Sequence, residues 1–221
     1  MNLPLNIIYR TYPGYNLDKA LKAFPDKKSL IKYSLSSLMG NLEPSNSKLH
    51  IIIDAPTDEY ILLINEIIAN FSIRTSIHIR EKPYGNAESF NSCLLLANAL
   101  DKSNLFFCED DYLIHPNLFE SVKTIFSQKD SPDYLFPFSH PDYSKLLIHK
   151  LYRALTYFSE SSNIFKRRAS GCLTFFTSKD AINRDFKILK LYADGFLGDH
   201  NMWKLITLPY LSSSTIIKEL Y

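Results

Sequence analysis

The chain has 221 residues, 46% of them hydrophobic and 22% charged, which is enough for one large domain with a substantial core and makes a second independent domain unexpected. With 25 basic against 23 acidic residues the net charge is +2, so no overall field argues for nucleic acid or an anionic membrane as partner. No run approaches the roughly 18 apolar residues of a membrane span, MNLPLNIIYRTYPGY lacks the basic segment of a secretory signal, and Cys93, Cys108 and Cys172 each sit in an apolar run as small thiols, so the chain reads as a reduced, cytoplasmic protein, with peripheral membrane contact still compatible.

LNIIYR (5–10) reads as a buried strand closed by the turn formers YPGYN. In KKSLIKYSLSSLMG the apolar residues Leu30, Ile31, Leu35, Leu38 and Met39 recur at three and four, the spacing of an amphipathic helix. KLHIIIDAP is a second strand ended by Pro56, and Thr57 or Asp58 caps a helix through DEYILLINEIIANF. SIRTSIHIR (72–80) alternates like a strand exposed on one face, and KPYGNAESFNSCLLLANAL turns into a third helix. SNLFFCED is a fourth strand, with Pro116 placed in the first turn of a helix running to about Gln128.

Four strand-to-helix units in succession imply right-handed crossovers and a mostly parallel, doubly wound sheet, in which ligands bind beyond the carboxyl ends of the strands. After Asp133 the pattern loosens: DYLFPF is a short strand, and 139–168 is mixed loop and short helix. GCLTFFTS (171–178) is strand-like, SKDAINRDFKILK is a helix opened by Ser178, and DGFLGDHNMWKLI is a loop leading into a last helix.

Directly behind the apolar run LFFC stand three adjacent carboxylates, Glu109, Asp110 and Asp111. They repel one another, and beyond a buried strand their pKa values rise unless a cation or donors compensate. A hard divalent ion such as Mn2+ or Mg2+ compensates them, takes carboxylate and water oxygens and keeps positions for substrate phosphates. The location predicts a metal-diphosphate site; the plainer readings are a solvated acidic loop, or Asp111 as a helix cap ahead of Pro116.

The order of strand, YPGYN turn, helix, IIIDAP, GNAESFNSCLLLANAL and FFCEDDYL resembles the nucleotide-sugar-binding half of glycosyltransferases with the GT-A fold, and is similar to the inverting family-two group. The resemblance covers roughly 5–120 well and the remainder loosely. It implies an α/β, Rossmann-like, three-layer α/β/α architecture around a central, mostly parallel sheet. One domain would span 1–221, with about 1–115 for the donor and about 116–221 for the acceptor. In that family the acidic motif is often written DxD. Carried over, Asp111 coordinates Mn2+ or Mg2+, while Asp110 and Glu109 contact the ribose or a metal-bound water.

The same resemblance puts Thr11 and Tyr12, after Tyr9 and Arg10, around the base, and gives Asp54 the ring N–H of the base. A carboxylate suits an N–H donor, which favours a UDP-, dTDP- or GDP-sugar over an adenine nucleotide; the plain alternative is a turn cap before Pro56. Gly85 and Asn86, with Ser89 and Asn91 behind them, match the stretch near ribose and diphosphate. A glycine at a helix start leaves N–H groups open to phosphate, although an ordinary turn would look the same.

Inverting transfer needs a general base for the acceptor hydroxyl. The resemblance implies an acid just before a helix, and in DGFLGDHNMW that is Asp199, preceded by Gly198 rather than a second acid; Asp194 is the next candidate, and a simple capping role for Asp199 is the alternative. His200 is read as a further metal or diphosphate contact against plain packing, and Trp203 as an acceptor-sugar platform against core. Gly171 would admit the donor sugar, and Lys166, Arg167 and Arg168 would close over the diphosphate as a lid, or be solvated surface. There is no QxxRW motif, so a processive synthase is not expected. The expected function is metal-dependent transfer of a sugar to a hydroxyl of a glycan, glycolipid or protein-linked saccharide, as in polysaccharide biosynthesis. A retaining transferase on the same fold, or a non-catalytic sugar-nucleotide or glycan-binding module, are the alternatives. A sugar nucleotidyltransferase would carry a glycine-rich, Arg- and Lys-bearing signature after the first strand, which YRTYPGYN does not provide.

Overall fold

The computed structural model describes residues 3–14, 24–82, 85–128, 131–137 and 173–207. Strands and helices alternate through β1 (Leu5–Thr11), α1 (Lys27–Met39), β2 (Ser47–Asp54), α2 (Asp58–Ile68), β3 (Arg74–Arg80), α3 (Asn86–Ala99) and β4 (Asn104–Glu109). They continue with α4 (Leu118–Phe126), β5 (Tyr134–Leu135), β6 (Phe175–Ser178), α5 (Lys179–Ala193) and α6 (Asp199–Thr207). Each of the first three helices returns the chain to the start of the sheet, so β1 to β4 run parallel, and the six strands lie in the order β3-β2-β1-β4-β6-β5. The last pair departs from the parallel pattern, β6 being antiparallel to both β4 and β5.

Burial on both faces explains the near-continuous apolar runs of β1, β2 and β4. One face packs Ile7, Tyr9, Leu49, Ile51, Ile53 and Phe106 against α1, α2 and α4. The other packs Ile8, Ile52, Leu105 and Phe107 against α3, α5 and α6. The double phenylalanines of β4 and β6 join in register, one stack per face: Phe106 and Phe176 have ring centroids 3.9 Å apart, Phe107 and Phe175 4.7 Å. Lys179 docks α5 by donating its ammonium to the carbonyls of Ala97 (2.8 Å) and Asn98 (2.5 Å) at the end of α3. No described helix is long and apolar enough to cross a membrane.

The caps follow the expected chemistry. Asp26 accepts from the Ser29 N–H at 2.7 Å, Thr57 from Tyr60 at 3.2 Å and Ser178 from Ala181 at 3.1 Å. Two boundaries differ. Pro116 lies ahead of α4, in a turn closed by Leu118 N–H to the His115 carbonyl at 3.0 Å, so Asn117 rather than Pro116 opens the helix. The strand expected over 171–178 is formed by Phe175–Ser178. Gly171, Cys172, the 139–168 segment and its Lys166, Arg167 and Arg168 lie outside the described residues.

Where β2 meets β3, burial, then the charges of Lys48 and His78, lowers the pKa of His50 to about 4. Neutral His50 suits its partners: Nε2 stands 3.3 Å from Asn6 Oδ1 and Nδ1 3.4 Å from His78 Nε2. Because the unfolded ring takes a proton near 6.5 that the folded ring refuses until about 4, stability falls as pH drops through that window. Denaturant midpoints at pH 7.5, 5.5 and 4 are expected to show His50→Gln losing less stability with acid than the wild type, by up to roughly 2–3 kcal/mol at pH 4. Parallel acid profiles would contradict this assignment.

Candidate active site

The parallel strands bring charges of alternating sign to the carboxyl edge of the sheet: Arg80 on β3, Asp54 on β2, Arg10 on β1 and Glu109 on β4. Register places Asp54 beside Arg80 and Arg10 beside Glu109. Arg80 Nε stands 3.3 Å from Asp54 Oδ1, and the Arg10 guanidinium pairs with Glu109 Oε1 while donating to the Asn86 carbonyl at 3.0 Å. Arg10 thereby ties β1, β4 and the start of α3 together. Thr174, just ahead of β6, accepts the Glu109 N–H at 3.0 Å and donates to Glu109 Oε2 at 3.4 Å.

Asp110 is held from the opposite side. Its Oδ2 accepts from the Thr11 hydroxyl at 2.5 Å and the Tyr12 N–H at 3.2 Å, and pairs with Lys27 at 2.7 Å. The buried Tyr60 hydroxyl, 2.5 Å from Thr11 Oγ1, completes this chain. The segment after the acids is fixed to α1, where Ser34 donates to the Tyr112 carbonyl at 2.9 Å and Ser37 accepts the Ile114 N–H at 3.1 Å.

Asp111 is exposed and makes no ion pair among the described residues. Crowding by the protein, then the charges of Glu109 and Asp110, raises its carboxyl to about 6. Among the described residues Arg10 compensates Glu109 and Lys27 compensates Asp110, while the charge at Asp111 has no cation beside it. Neither cation was legible as a partner, because each lies on another element far away in sequence. The alternating signs at the strand ends were the available signal, readable once the strand order is known.

Around this corner lie the other expected donor contacts. Tyr12 is 45% exposed at the end of β1, and a Cβ on Gly14 would fall 2.1 Å from its ring. Gly14→Ala is therefore expected to swing the Tyr12 ring away with little loss of melting temperature and to weaken nucleotide binding severalfold, measured by calorimetry beside a thermal melt. Unchanged affinity would remove Tyr12 from the site. Asp54 is 6% exposed, and among the described residues its Oδ1 has no partner in hydrogen-bonding geometry. The next residue, Ala55, has φ 44° and gives its N–H to the Arg80 carbonyl at 2.7 Å, a strained turn that fixes where the Asp54 carboxylate points. Gly85, at φ 84°, precedes α3 without a side-chain cap, Asn86 is exposed at the first turn, and Ser89 is buried behind it. Asn91 is half-buried, and its Oδ1 has no hydrogen-bond partner among the described residues.

The second group of expected residues sits at the end of α5. Gly195, at φ 78°, lets its N–H reach the Tyr192 carbonyl at 2.9 Å and the Phe196 N–H reach Leu191 at 2.9 Å, a Schellman turn that aims the chain into α6. Asp194 is paired with Lys190. Asp199 is exposed on the first turn of α6, where it accepts the His200 N–H at 2.6 Å. Burial holds the Tyr192 phenol above its ordinary pKa; Arg10 opposes this, and Asp199 and Glu109 add to it, so Tyr192 lies within electrostatic reach of both the acidic corner and Asp199. Trp203 is buried against Tyr134, Phe136 and Phe175, so it belongs to the core and offers no stacking face to a sugar.

Among the described residues no group of three or more His, Cys, Asp or Glu side chains could hold a metal by itself. The open carboxylate of Asp111 does fit Mg2+ or Mn2+, hard ions that take one or two protein carboxylates and complete their shell with water and substrate phosphate. His200, half-buried on α6, is not gathered into any such group.

No family profile and no curated protein matches the chain. Solved structures do. S. aureus TarS residues 1–349 superpose with TM-score 0.58 at 10% identity over 86% of this chain and 55% of that one. The mannosyltransferase PcManGT from Pyrobaculum calidifontis, in complex with GDP-Man and Mn2+, gives 0.56 at 11% identity over 82% and 46%. Glucosyl-3-phosphoglycerate synthase from Mycobacterium tuberculosis, in complex with UDP, gives 0.50 at 10% identity over 86% and 65%. The chain spans about half the length of the first two. The fold is the GT-A type of glycosyltransferases, an α/β sandwich around a mostly parallel sheet.

Proposed function

We propose that the protein is a glycosyltransferase that moves a sugar from a nucleotide diphosphate sugar to a hydroxyl of a saccharide acceptor. The observation that carries this reading is the charge arrangement at the carboxyl edge. Among the described residues two of the three adjacent acids have protein cations and the third has none, and beside them α3 starts at a glycine with no side-chain cap. Such a corner suits a divalent ion bridged to a diphosphate. The solved structures of TarS with UDP-GlcNAc and of PcManGT with GDP-Man and Mn2+ support the donor class.

On this reading Asp54 accepts the ring N–H of the base while Arg80 beside it donates to the neighbouring carbonyl, a pairing offered by uracil, thymine and guanine. Tyr12 covers the base, and the free oxygen of Asp110 receives a ribose hydroxyl. Gly85 and Asn86 leave backbone room and N–H groups for phosphate. Asp111 would hold Mn2+ or Mg2+, which neutralises the departing diphosphate when bound. Asp199 takes the proton of the attacking hydroxyl, an inverting mechanism, with Asp194 as the substitute base. Both halves belong to one domain, and the buried thiols of Cys93 and Cys108 accord with a cytoplasmic setting.

Calorimetry with UDP, dTDP, GDP and ADP, each with and without Mn2+, tests the donor assignment. Binding by one of the first three that strengthens at least tenfold with Mn2+ is expected. Equal weak binding of all four without a metal effect would contradict it.

A further inference from the structure

Resting on that donor site, we propose that Lys27 is a positioning residue that sets the charge of the acidic corner, holding its ligand-free state at one open carboxylate so that an anionic diphosphate is not repelled. Lys27 is the first residue of α1, and its side chain is 13% exposed. The turn that presents it is pinned by Asp26, which caps the helix through the Ser29 N–H. Its ammonium lies 2.7 Å from Asp110 Oδ2, the oxygen that also receives the Thr11 hydroxyl and the Tyr12 N–H. With Thr11 donating to Asp110, the hydroxyl 2.5 Å away on buried Tyr60 donates to Thr11, so every proton of the chain points toward that oxygen. Asp110 Oδ1 keeps no partner among the described residues, all three contacts falling on Oδ2.

Removing the ammonium leaves Asp110 and Asp111 both uncompensated. A corner with two open negative charges attracts a divalent cation more strongly and a diphosphate less strongly. Loss of a purely structural contact would weaken both ligands together, so the opposite signs separate the two roles. The adjacent Lys28 supplies a control: it carries the same charge on the same turn, but it pairs with Glu59 on the exposed surface.

The experiment titrates Mn2+ alone, then UDP and GDP at saturating Mn2+, into wild type, Lys27→Met, Lys27→Arg and Lys28→Met, with melting temperatures recorded beside them. Lys27→Met is expected to bind Mn2+ about threefold more tightly and the nucleotide roughly tenfold more weakly. Lys27→Arg is expected to restore both, and Lys28→Met to match wild type. Unchanged or weakened Mn2+ binding in Lys27→Met overturns the proposal. A wild type that takes Mn2+ but neither nucleotide overturns the donor reading instead, and the Mn2+ comparison then decides Lys27 alone: tighter binding upholds it and equal binding refutes it.

Discussion

Replacing Asp111 by asparagine is expected to abolish the Mn2+ dependence of nucleotide binding and to lower kcat/KM for transfer by on the order of 10²–10³-fold. The substitution keeps size and removes the carboxylate of the triplet that has no cation among the described residues. Its neighbours are already satisfied, Glu109 by Arg10 and Thr174, and Asp110 by Lys27, Thr11 and the Tyr12 N–H. Stability should therefore hold or rise slightly, because a charge crowded by two like charges disappears. Glu109→Gln provides the contrast. It strips Arg10, which is 8% exposed, of its counter-charge and is expected to cost about 3 kcal/mol or more of stability. Parallel thermal melts and Mn2+ titrations of the two variants separate a ligand role from a structural one. An Asp111→Asn protein that keeps its metal dependence would remove the residue from the proposed site.

Asp199→Asn should behave in the opposite way. Donor binding should stay within a factor of about two while the transfer rate falls by roughly 10²–10⁴, the contribution typical of a positioned general base. Asp199 is exposed, and its recorded contact is with the N–H of the next residue, which an asparagine oxygen also accepts, so the helix start survives the change. Asp194 is already tied to Lys190, and Asp194→Asn is expected to leave the rate nearly unaltered. If Asp199→Asn transfers at the wild-type rate, the base lies elsewhere or the reaction retains configuration. Anomeric analysis of the product by NMR distinguishes those two outcomes.

The parts of the fold that follow from local pattern were legible. Three-and-four spacing in KKSLIKYSLSSLMG and the unbroken apolar stretch of IIIDAP gave α1 and β2, and Thr57 and Ser178 announced the helices they cap. The reversed direction of β6 was not legible. Nothing in FFTS states a direction, and its place beside β4 is decided by the aromatic stacks of Phe175 and Phe176 on opposite faces. Asp54 and the acidic triplet stood out as carboxylates ending apolar strands. Their partners did not, because strand order and register bring Arg10 and Arg80 to them, and Lys27 reaches Asp110 from the start of α1. For Trp203 the sequence left platform and core both open, and packing against Tyr134, Phe136 and Phe175 decides for core.

The central claim is that the open charge at Asp111 is completed by a divalent ion and a pyrophosphate. A crystal grown with Mn2+ and UDP or GDP, measured for anomalous scattering at the manganese edge, tests it most directly. The account predicts one manganese peak within coordination distance of Asp111, with the diphosphate between it and the start of α3 and the base beside Asp54. A nucleotide bound elsewhere, or one seated at this corner with no manganese beside Asp111, would contradict it.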